Sequence, residues 1–420
     1  MYQKTVLANG LRLITSKMPH TRSVSVVFFV AAGPRYELDS EAGIAHFVEH
    51  LCFKGTYRRK TAKEISEAIE SIGGLLNGGT DKELTSFWCR VPSKHFLLAV
   101  DVLVDLVRNP RFEENDIERE RQVIIEEMNM SLDSPRQRVA MLIDELLWPG
   151  KPLGRDIAGS KETVSSLTRQ QIREFHASHY LPNNIVVSIA GDIDEKQAHD
   201  AALQTLGDWQ SGKVPAGFSS SGLDGEKRLS VEFRETEQLQ LCLGVPGVSF
   251  FDPDRYAVDL LSIILGEGMS SRLFLKLREE KGLAYEIHSY ADHFTDTGAL
   301  IVHAGIDPTQ GEAALKGILE ELLGIGNSLS SEELDKAKEI AKGRLLLSLE
   351  NSRSVAGWLG AQELLTNRIL SVDDVIALVE AVTEADLKRV AHNLFDSRYF
   401  CLALVGPVRE ADSFAKLLGV

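Results

Sequence analysis

Near the middle of the chain lies the stretch Ser211-Gly-Lys-Val-Pro-Ala-Gly-Phe-Ser-Ser-Ser-Gly. The shift in composition around it runs from Gln210 to Lys227 and combines many turn-forming residues with few apolar ones. Such a composition is typical of a linker. Because 420 residues are too many for one compact core, we predict two domains, residues 1–210 and 228–420, joined by a linker at 211–227.

The two halves on either side of this linker have similar coarse patterns. Each begins with strand-like runs, continues into helices, and closes with another β-type run. In the first half we predict strands at 5–7, 11–15, 23–30 and 185–190 and a helix at 43–53. In the second half we predict strands at 229–233, 238–245 and 400–405 and helices at 253–265 and 270–280. The pattern therefore indicates a duplicated α/β unit.

Composition and charge narrow the class of protein. An apolar fraction of 44% and a charged fraction of 25% are those of an ordinary globular protein. No segment reaches the roughly 18 apolar residues of a membrane helix, so we expect no membrane partner. The net charge of −15 argues against nucleic acid as a partner. It would attract cationic peptides or simply keep the surface well solvated.

The N-terminus and the cysteines bear on the compartment. The first ten residues lack the basic head and apolar core of a secretory signal, so we expect a cytoplasmic protein. The four cysteines lie far apart and form no Cys-x-x-Cys pair. We interpret them as buried free thiols, which fit a reducing compartment.

Among eleven histidines, His46 and His50 stand out because they are four residues apart on a predicted helix. This spacing puts both imidazoles on one helix face, where they can bind a single metal ion. Glu49 points to the same side and could act as a general base on water. The segment His46-Phe47-Val48-Glu49-His50 has the inverted zincin arrangement. The alternative is a polar helix face with hydrogen-bonded histidines.

The acidic helix predicted at 113–133 could supply a third metal ligand. Glu127 borders its apolar stripe, Glu120 lies seven residues earlier on almost the same face, and Glu126 lies on the other side. The stripe comprises Ile117, Val123, Ile124 and Met128. Since a buried carboxylate needs a compensating cation or donor, we predict that one of the two binds the metal and the other orients a histidine. Alternatively, both are surface carboxylates at the edge of an amphipathic helix.

Other histidines carry weaker signals. His176 and His179 are three residues apart but have no carboxylate at general-base spacing, which favours a structural role. His288, His293 and His303 lie in a β-rich stretch and could approach one another across strands. We do not predict a metal site there.

Several separated motifs resemble the pitrilysin and insulysin metallopeptidases, and within them the mitochondrial processing peptidase and its bacterial relatives. The resemblance extends over nearly the whole chain. Its motifs are Asn9-Gly-Leu-Arg-Leu-Ile, Gly43-Ile-Ala-His-Phe-Val-Glu-His-Leu-Cys-Phe-Lys-Gly-Thr, Gly73-Gly-Leu-Leu-Asn, Glu120-Arg-Gln-Val-Ile-Ile-Glu-Glu, Gly268-Met-Ser-Ser-Arg-Leu-Phe and Leu277-Arg-Glu-Glu-Lys-Gly-Leu-Ala-Tyr.

The resemblance implies roles for the residues around the inverted motif. His46, His50 and Glu127 would bind one zinc ion per chain. Glu49 would be the general base, and Glu120 the carboxylate that orients a zinc-binding histidine. These roles agree with the helical-face argument above.

The resemblance also implies residues that contact the substrate. Arg278 and Tyr285 would reach the substrate near the metal, where the tyrosine could donate to a developing oxyanion. Family members often carry Asn-Ala-x-Thr on the strand beside the cleft, where an extended substrate adds to the sheet edge. Here Asn77 is followed by Gly78, Gly79 and Thr80, which predicts a more flexible edge.

We therefore expect an α/β (α+β) protein of two similar domains, each a mainly antiparallel sheet packed with helices. Its expected function is that of a zinc metalloendopeptidase that cleaves extended or unfolded peptides in a closed chamber. The family's chamber takes four such domains, so the resemblance implies a homodimer or a heterodimer with a related chain. The alternatives are a non-catalytic partner or scaffold subunit of a peptidase-like complex, and a structural protein with a fortuitous motif.

Overall fold

The computed structural model describes residues 2–221 and 228–419, so residues 222–227 of the predicted linker lie outside the described part. Residues 211–221 form neither helix nor strand. The strands of the described residues are β1 (Gln3–Val6), β2 (Arg12–Lys17), β3 (Ser23–Val30), β4 (Leu75–Thr80), β5 (Thr85–Pro92), β6 (Ile185–Gly191), β7 (Leu229–Phe233), β8 (Leu239–Pro246), β9 (Ala284–His293), β10 (Gly298–Ile306) and β11 (Cys401–Gly406).

The α-helices are interspersed with short 3-10 turns. In chain order the α-helices of the described residues are α1 (Ile44–Cys52), α2 (Ala62–Glu70), α3 (Phe96–Arg108), α4 (Glu114–Asp133), α5 (Pro135–Leu147), α6 (Lys161–Ser166), α7 (Arg169–His179), α8 (Glu195–Leu206), α9 (Arg255–Gly266), α10 (Gly311–Ser328), α11 (Ser331–Ser348), α12 (Ser352–Thr366), α13 (Val372–Ala381), α14 (Glu384–Leu394) and α15 (Asp412–Leu418). The segment Phe274–Glu280 has π-helical geometry. No helix in the described ranges is both long and apolar enough to cross a membrane.

Two compact units make up the chain. The first unit contains Met1–Met128, Asp156–Phe218 and Leu346–Ser371, and the second contains Asn129–Arg155, Ser219–Leu345 and Val372–Val420. Each unit thus includes a helix from the other half of the sequence. The predicted domain boundaries at residues 210 and 228 treat each half of the sequence as one continuous domain. They stay a prediction.

The first unit is built on a six-stranded sheet in the order β1-β2-β6-β3-β5-β4. All neighbours are antiparallel except β2 and β6. One face packs on α1, α3, α7 and α8 through a core that includes Val26, Phe28 and Phe87. The other face packs on α12 through Val27, Phe29 and Ala356. Because both faces are covered, β3 is buried almost throughout, as its continuous apolar run predicts.

The second unit repeats this topology with five strands in the order β7-β11-β8-β10-β9. Here β7 and β11 are the parallel pair, and the remaining neighbours are antiparallel. One face packs on α9, α10 and α14, and the other on α5. The order and directions of β7-β11-β8-β10-β9 match those of β2-β6-β3-β5-β4. The fold is therefore of α+β type with two similar units, and the predicted duplication is confirmed.

The predicted strands and helices are present in the structure. Their ends differ by one or two residues from those of the observed elements, apart from the helix predicted at 270–280, whose assigned π-helical part is Phe274–Glu280. All four cysteines are free and buried, as predicted.

Candidate metal centre

The start of α1 is fixed by a buried carboxylate. Glu37 accepts hydrogen bonds from the backbone N–H groups of Gly43 and Ala45, both at 2.9 Å. Gly43 has a φ of 92°, and a Cβ at this position would lie 2.2 Å from the carbonyl oxygen of Ala158. Glycine is therefore required here by both backbone conformation and space. The helix begins at a defined residue, which sets the direction of every side chain that follows.

The two histidines of α1 lie one turn apart, as predicted. The ring centroids of His46 and His50 are 4.5 Å apart, and the ring planes are inclined by 68°. Potential ligand atoms of His46, Glu49 and His50 all lie within 4.8 Å of one another. In the described part of the chain this is the one group of at least three histidine, cysteine or carboxylate side chains with that spacing.

Helix α4 brings two further carboxylates to this cluster. An oxygen of Glu120 lies 3.2 Å from Nδ1 of His50, and an oxygen of Glu127 lies 3.5 Å from Nε2 of the same ring. Glu120 is only 2% exposed, whereas the side chain of Glu127 is 45% exposed. Glu126 is exposed. The two carboxylates chosen from the helical wheel thus lie next to His50, one at each ring nitrogen.

A buried arginine holds α4 against α1. The guanidinium of Arg121 lies 5.5 Å from the ring centroid of Phe47 and donates to the carbonyl oxygens of Val164 and Leu167. Val123, which the sequence places in the apolar stripe of α4, is 40% exposed instead. That part of the stripe is wrong, because the helix turns its Arg121 side inward and satisfies the cation with backbone carbonyls.

Lys54 is a member of this cluster that the sequence analysis misses. Its Nζ lies 2.7 Å from Oε1 of Glu120, whose Oε2 faces His50. Its position four residues after His50 is the signal that could have revealed it, since that spacing continues the face that carries both histidines.

Glu49 is enclosed between α1 and β4. It is 8% exposed, and the Thr80 hydroxyl acts to lower its pKa against the effect of burial. A Cβ at Gly78 would lie 2.7 Å from Oε1 of Glu49 and 2.8 Å from the ring of Phe53. The missing side chain at position 78 therefore leaves the space that the Glu49 carboxylate and the Phe53 ring occupy.

The electrostatics of the cluster favour a cation. Burial and the neighbouring His50 lower the pKa of His46 to about 4, which keeps this imidazole neutral at neutral pH. Burial alone would lower the pKa of His50, but Glu120, Glu49 and Glu127 raise it above its usual value. Burial raises the pKa of Glu49. Burial alone would raise the pKa of Glu120, but hydrogen bonds from His50 and Lys54 bring this pKa below its usual value.

These residues fit a zinc ion. Two neutral imidazoles and one carboxylate are a common ligand set for catalytic zinc. Nδ1 of His46 is buried and has no hydrogen-bond partner among the described residues. The Nδ1–H of His50 can donate to Glu120, which leaves Nε2 as the free ligand atom on the side of Glu127.

The predicted substrate edge is an edge strand in the structure. Strand β4, which contains Asn77, Gly78 and Thr80, pairs with β5 and is the last strand of the first sheet. The Asn77 side chain accepts a hydrogen bond from the backbone N–H of Gly78 at 2.8 Å. A contact with substrate stays a prediction for these residues.

Arg278 and Tyr285 belong to the second unit. Arg278 is at the end of the π-helical segment, with its guanidinium 4.6 Å from the ring centroid of Phe274. Tyr285 is near the start of the edge strand β9 and is 59% exposed. Their role toward substrate stays a prediction.

The remaining histidine groups have other surroundings. His176 contacts the carbonyl oxygen of Val107 at 2.9 Å, and His179 contacts that of Phe175 at 3.0 Å, which agrees with structural roles. The rings of His288 and His303 are 5.0 Å apart on directly paired residues of β9 and β10. Burial, together with nearby charges that include Arg136, lowers the pKa of both rings. His293 instead contacts Asp259 and the carbonyl oxygen of Val248.

Comparisons with known proteins identify the family of the chain. Residues 12–161 match the family described as Insulinase (Peptidase family M16), and residues 166–341 match the one described as Peptidase M16 inactive domain. An uncharacterised zinc protease of Streptomyces coelicolor is 34% identical over 98% of this chain and 91% of its own length. The uncharacterised zinc protease YmxG of Bacillus subtilis is 34% identical over 97% of this chain and 98% of its own length.

Solved structures agree on the fold. A protease from Helicobacter pylori superposes with a TM-score of 0.89 at 24% identity and covers 97% of this chain and 99% of that one. Two halves matched in order, together with relatives of this identity and coverage, define the class of protein. The chain belongs to peptidase family M16, and it is a pitrilysin-type member.

Proposed function

We propose that this chain is a zinc metalloendopeptidase that cleaves extended or unfolded peptides. The observation that carries the proposal is the convergence of His46, Glu49 and His50 on α1 with Glu127 on α4. Relatives at 34% identity over almost their whole length are named zinc proteases, which supports the same chemistry here.

The zinc ion would be held by His46, His50 and Glu127, with one ion per chain. When bound, zinc supplies a Lewis acid that polarises a carbonyl oxygen and makes water more acidic. Glu120 accepts the Nδ1–H of His50 and so fixes the orientation and tautomer of that ring. These assignments combine the donor geometry with the resemblance of the motifs.

Glu49 acts as the general base. Its carboxylate accepts a proton from the water that attacks the scissile carbonyl and later donates it to the leaving amine. Burial raises the pKa of Glu49, which brings this carboxyl closer to the pH at which such a base works best. The Thr80 hydroxyl on β4 favours the ionised form of this carboxylate.

The substrate is an extended peptide that adds to the free edge of β4 at Asn77, Gly78 and Thr80. By resemblance to the family, Arg278 and Tyr285 are assigned to the substrate, with the tyrosine hydroxyl as a donor to the oxyanion. By resemblance to the family, the peptide is enclosed in a chamber of four domains. That arrangement requires two chains, either identical or related.

Cleavage of a long basic fluorogenic peptide tests this function, with Glu49→Gln as the key variant. We expect the wild type to cleave it and a chelator to abolish cleavage. The variant should keep one zinc per chain while turnover falls about 10²–10⁴-fold, the usual contribution of a general base. Full turnover in the variant, or none in the zinc-loaded wild type, would favour a non-catalytic partner subunit instead.

A further inference from the structure

Lys54 lies two residues past the end of α1 and forms an ion pair with the buried carboxylate Glu120 of α4. Its ammonium group lies 2.7 Å from Oε1 of Glu120, while Oε2 of the same carboxylate lies 3.2 Å from Nδ1 of His50. Each oxygen of Glu120 therefore has one partner in the described chain, and both partners come from one segment. The spacing His46, His50, Lys54 places the three side chains on one face at intervals of four residues.

We propose that Lys54 is a positioning residue of the zinc centre, which fixes the Glu120 carboxylate so that it accepts the Nδ1–H of His50 and leaves Nε2 to bind zinc. This inference rests on the proposed function and extends it by one residue. The terminal torsion of a glutamate side chain is soft, so a single hydrogen bond does not fix the carboxylate plane. A second contact, on the other carboxylate oxygen, fixes this plane.

The backbone sets the distance between the two groups that Glu120 bridges. The N–H of Phe53 donates to the carbonyl oxygen of His50 at 3.2 Å, and that of Lys54 donates to the carbonyl oxygen of Leu51 at 3.1 Å. The chain thus continues the turn of α1 past its last residue and carries Lys54 to the side of Glu120. The segment that supplies both histidines therefore also holds Lys54 in place beside the Glu120 carboxylate.

The opposing interpretation is that Lys54 and Glu120 form an ion pair that serves only stability. The first unit contains a matched pair for this comparison. Nζ of Lys4 lies 2.6 Å from a carboxylate oxygen of Glu363, and in both pairs the lysine is partly exposed and the glutamate is buried. Glu363 is on α12 and contacts Arg12 rather than a histidine.

Zinc affinity, measured on the full-length protein by competition with a chromogenic chelator, separates the two interpretations. We expect Lys54→Met to weaken zinc binding about tenfold, at the lower end of the effect of groups that support metal ligands. Lys54→Gln should show the same loss, and Lys54→Arg should recover most of the affinity because it keeps a cationic donor. Lys4→Met should lower the thermal unfolding temperature and leave zinc affinity unchanged.

A double-mutant cycle shows whether Lys54 acts through Glu120. In a Glu120→Ala background, we expect Lys54→Met to cause no further loss of zinc affinity. Wild-type affinity in both Lys54→Met and Lys54→Gln, or a full tenfold loss in the Glu120→Ala background, would overturn the inference and leave the proposed function intact. A wild type that does not bind stoichiometric zinc would instead overturn the proposed function, and the role of Lys54 with it.

Discussion

The two units place a helix and an edge strand side by side in the same topology but fill the space between them differently. In the first unit a glycine of the strand, Gly78, makes room for the Glu49 carboxylate that α1 projects toward β4. In the second unit the glycine is on the helix. A Cβ at Gly266 of α9 would lie 2.4 Å from the backbone nitrogen of Ser289 on β9. There the strand backbone itself occupies the space.

This difference in packing goes with a difference in the side chains that the two helices bury. The buried residues of α9 are aliphatic or small, with Ser262 as the polar one, whereas α1 buries Glu49 and presents two histidines. Among the described residues of the second unit, no three potential metal ligands have their ligand atoms within 4.8 Å of one another. The two units thus share a topology, and in the first one the packing between α1 and β4 leaves space for an ionisable side chain.

The largest effect should come from the loss of a zinc ligand in the first unit. We expect His46→Ala to weaken zinc binding about 10³-fold, since one of three ligands accounts for about a third of the roughly 10–16 kcal/mol of a typical zinc site. His303→Ala, at a buried histidine of the second unit, should keep one zinc per chain. Metal analysis after dialysis measures both. Retained zinc in His46→Ala with loss of zinc in His303→Ala would place the metal in the second unit and contradict this prediction.

The next effect concerns what the second unit contributes to turnover. We expect Tyr285→Phe and Arg278→Ala to keep zinc, and turnover to fall about 10²–10³-fold for the tyrosine, the usual cost of losing an oxyanion donor. Tyr290→Phe, on the same strand, is the matched control and should leave turnover unchanged. Peptide cleavage and metal analysis are the two measurements. Loss of zinc in both Tyr285→Phe and Arg278→Ala would show that these residues serve the fold.

The smallest effect tests the packing contrast itself. Gly266→Ala should destabilise the second unit by about 1–3 kcal/mol, because the new Cβ meets strand backbone that cannot move aside. Gly78→Ala should cost less than Gly266→Ala, because its Cβ meets the side-chain ends of Glu49 and Phe53 instead of backbone, but it should also lower turnover. Denaturant unfolding measures the first difference. Equal destabilisation by the two substitutions would contradict it.

Much of the fold could be predicted because local patterns determine it. The continuous apolar run of β3 and the alternation before it indicate a buried strand, and the structure contains that strand at Ser23–Val30. The apolar patterns of α5 and α12 do not say which sheet each helix covers, and in the structure α5 packs on the second sheet and α12 on the first.

The metal cluster could be predicted to the extent that it depends on spacing within a helix. Spacing predicts that His46 and His50 share a face and that Glu120 and Glu127 share another. It misplaces Val123, because the pattern alone does not reveal that Arg121 would be buried against two backbone carbonyls. The four-residue spacing from His50 points to Lys54 as a neighbour of the histidines, but its ion pair with Glu120 depends on how α1 and α4 pack, which spacing does not reveal.

The central claim is that α1 and α4 together hold one cation. Zinc content of purified Glu127→Gln, compared with its neighbour Glu126→Gln, tests it most directly. We predict one zinc per chain in the wild type and in Glu126→Gln, and loss of zinc in Glu127→Gln. Zinc retained by Glu127→Gln and lost by Glu126→Gln would contradict the account.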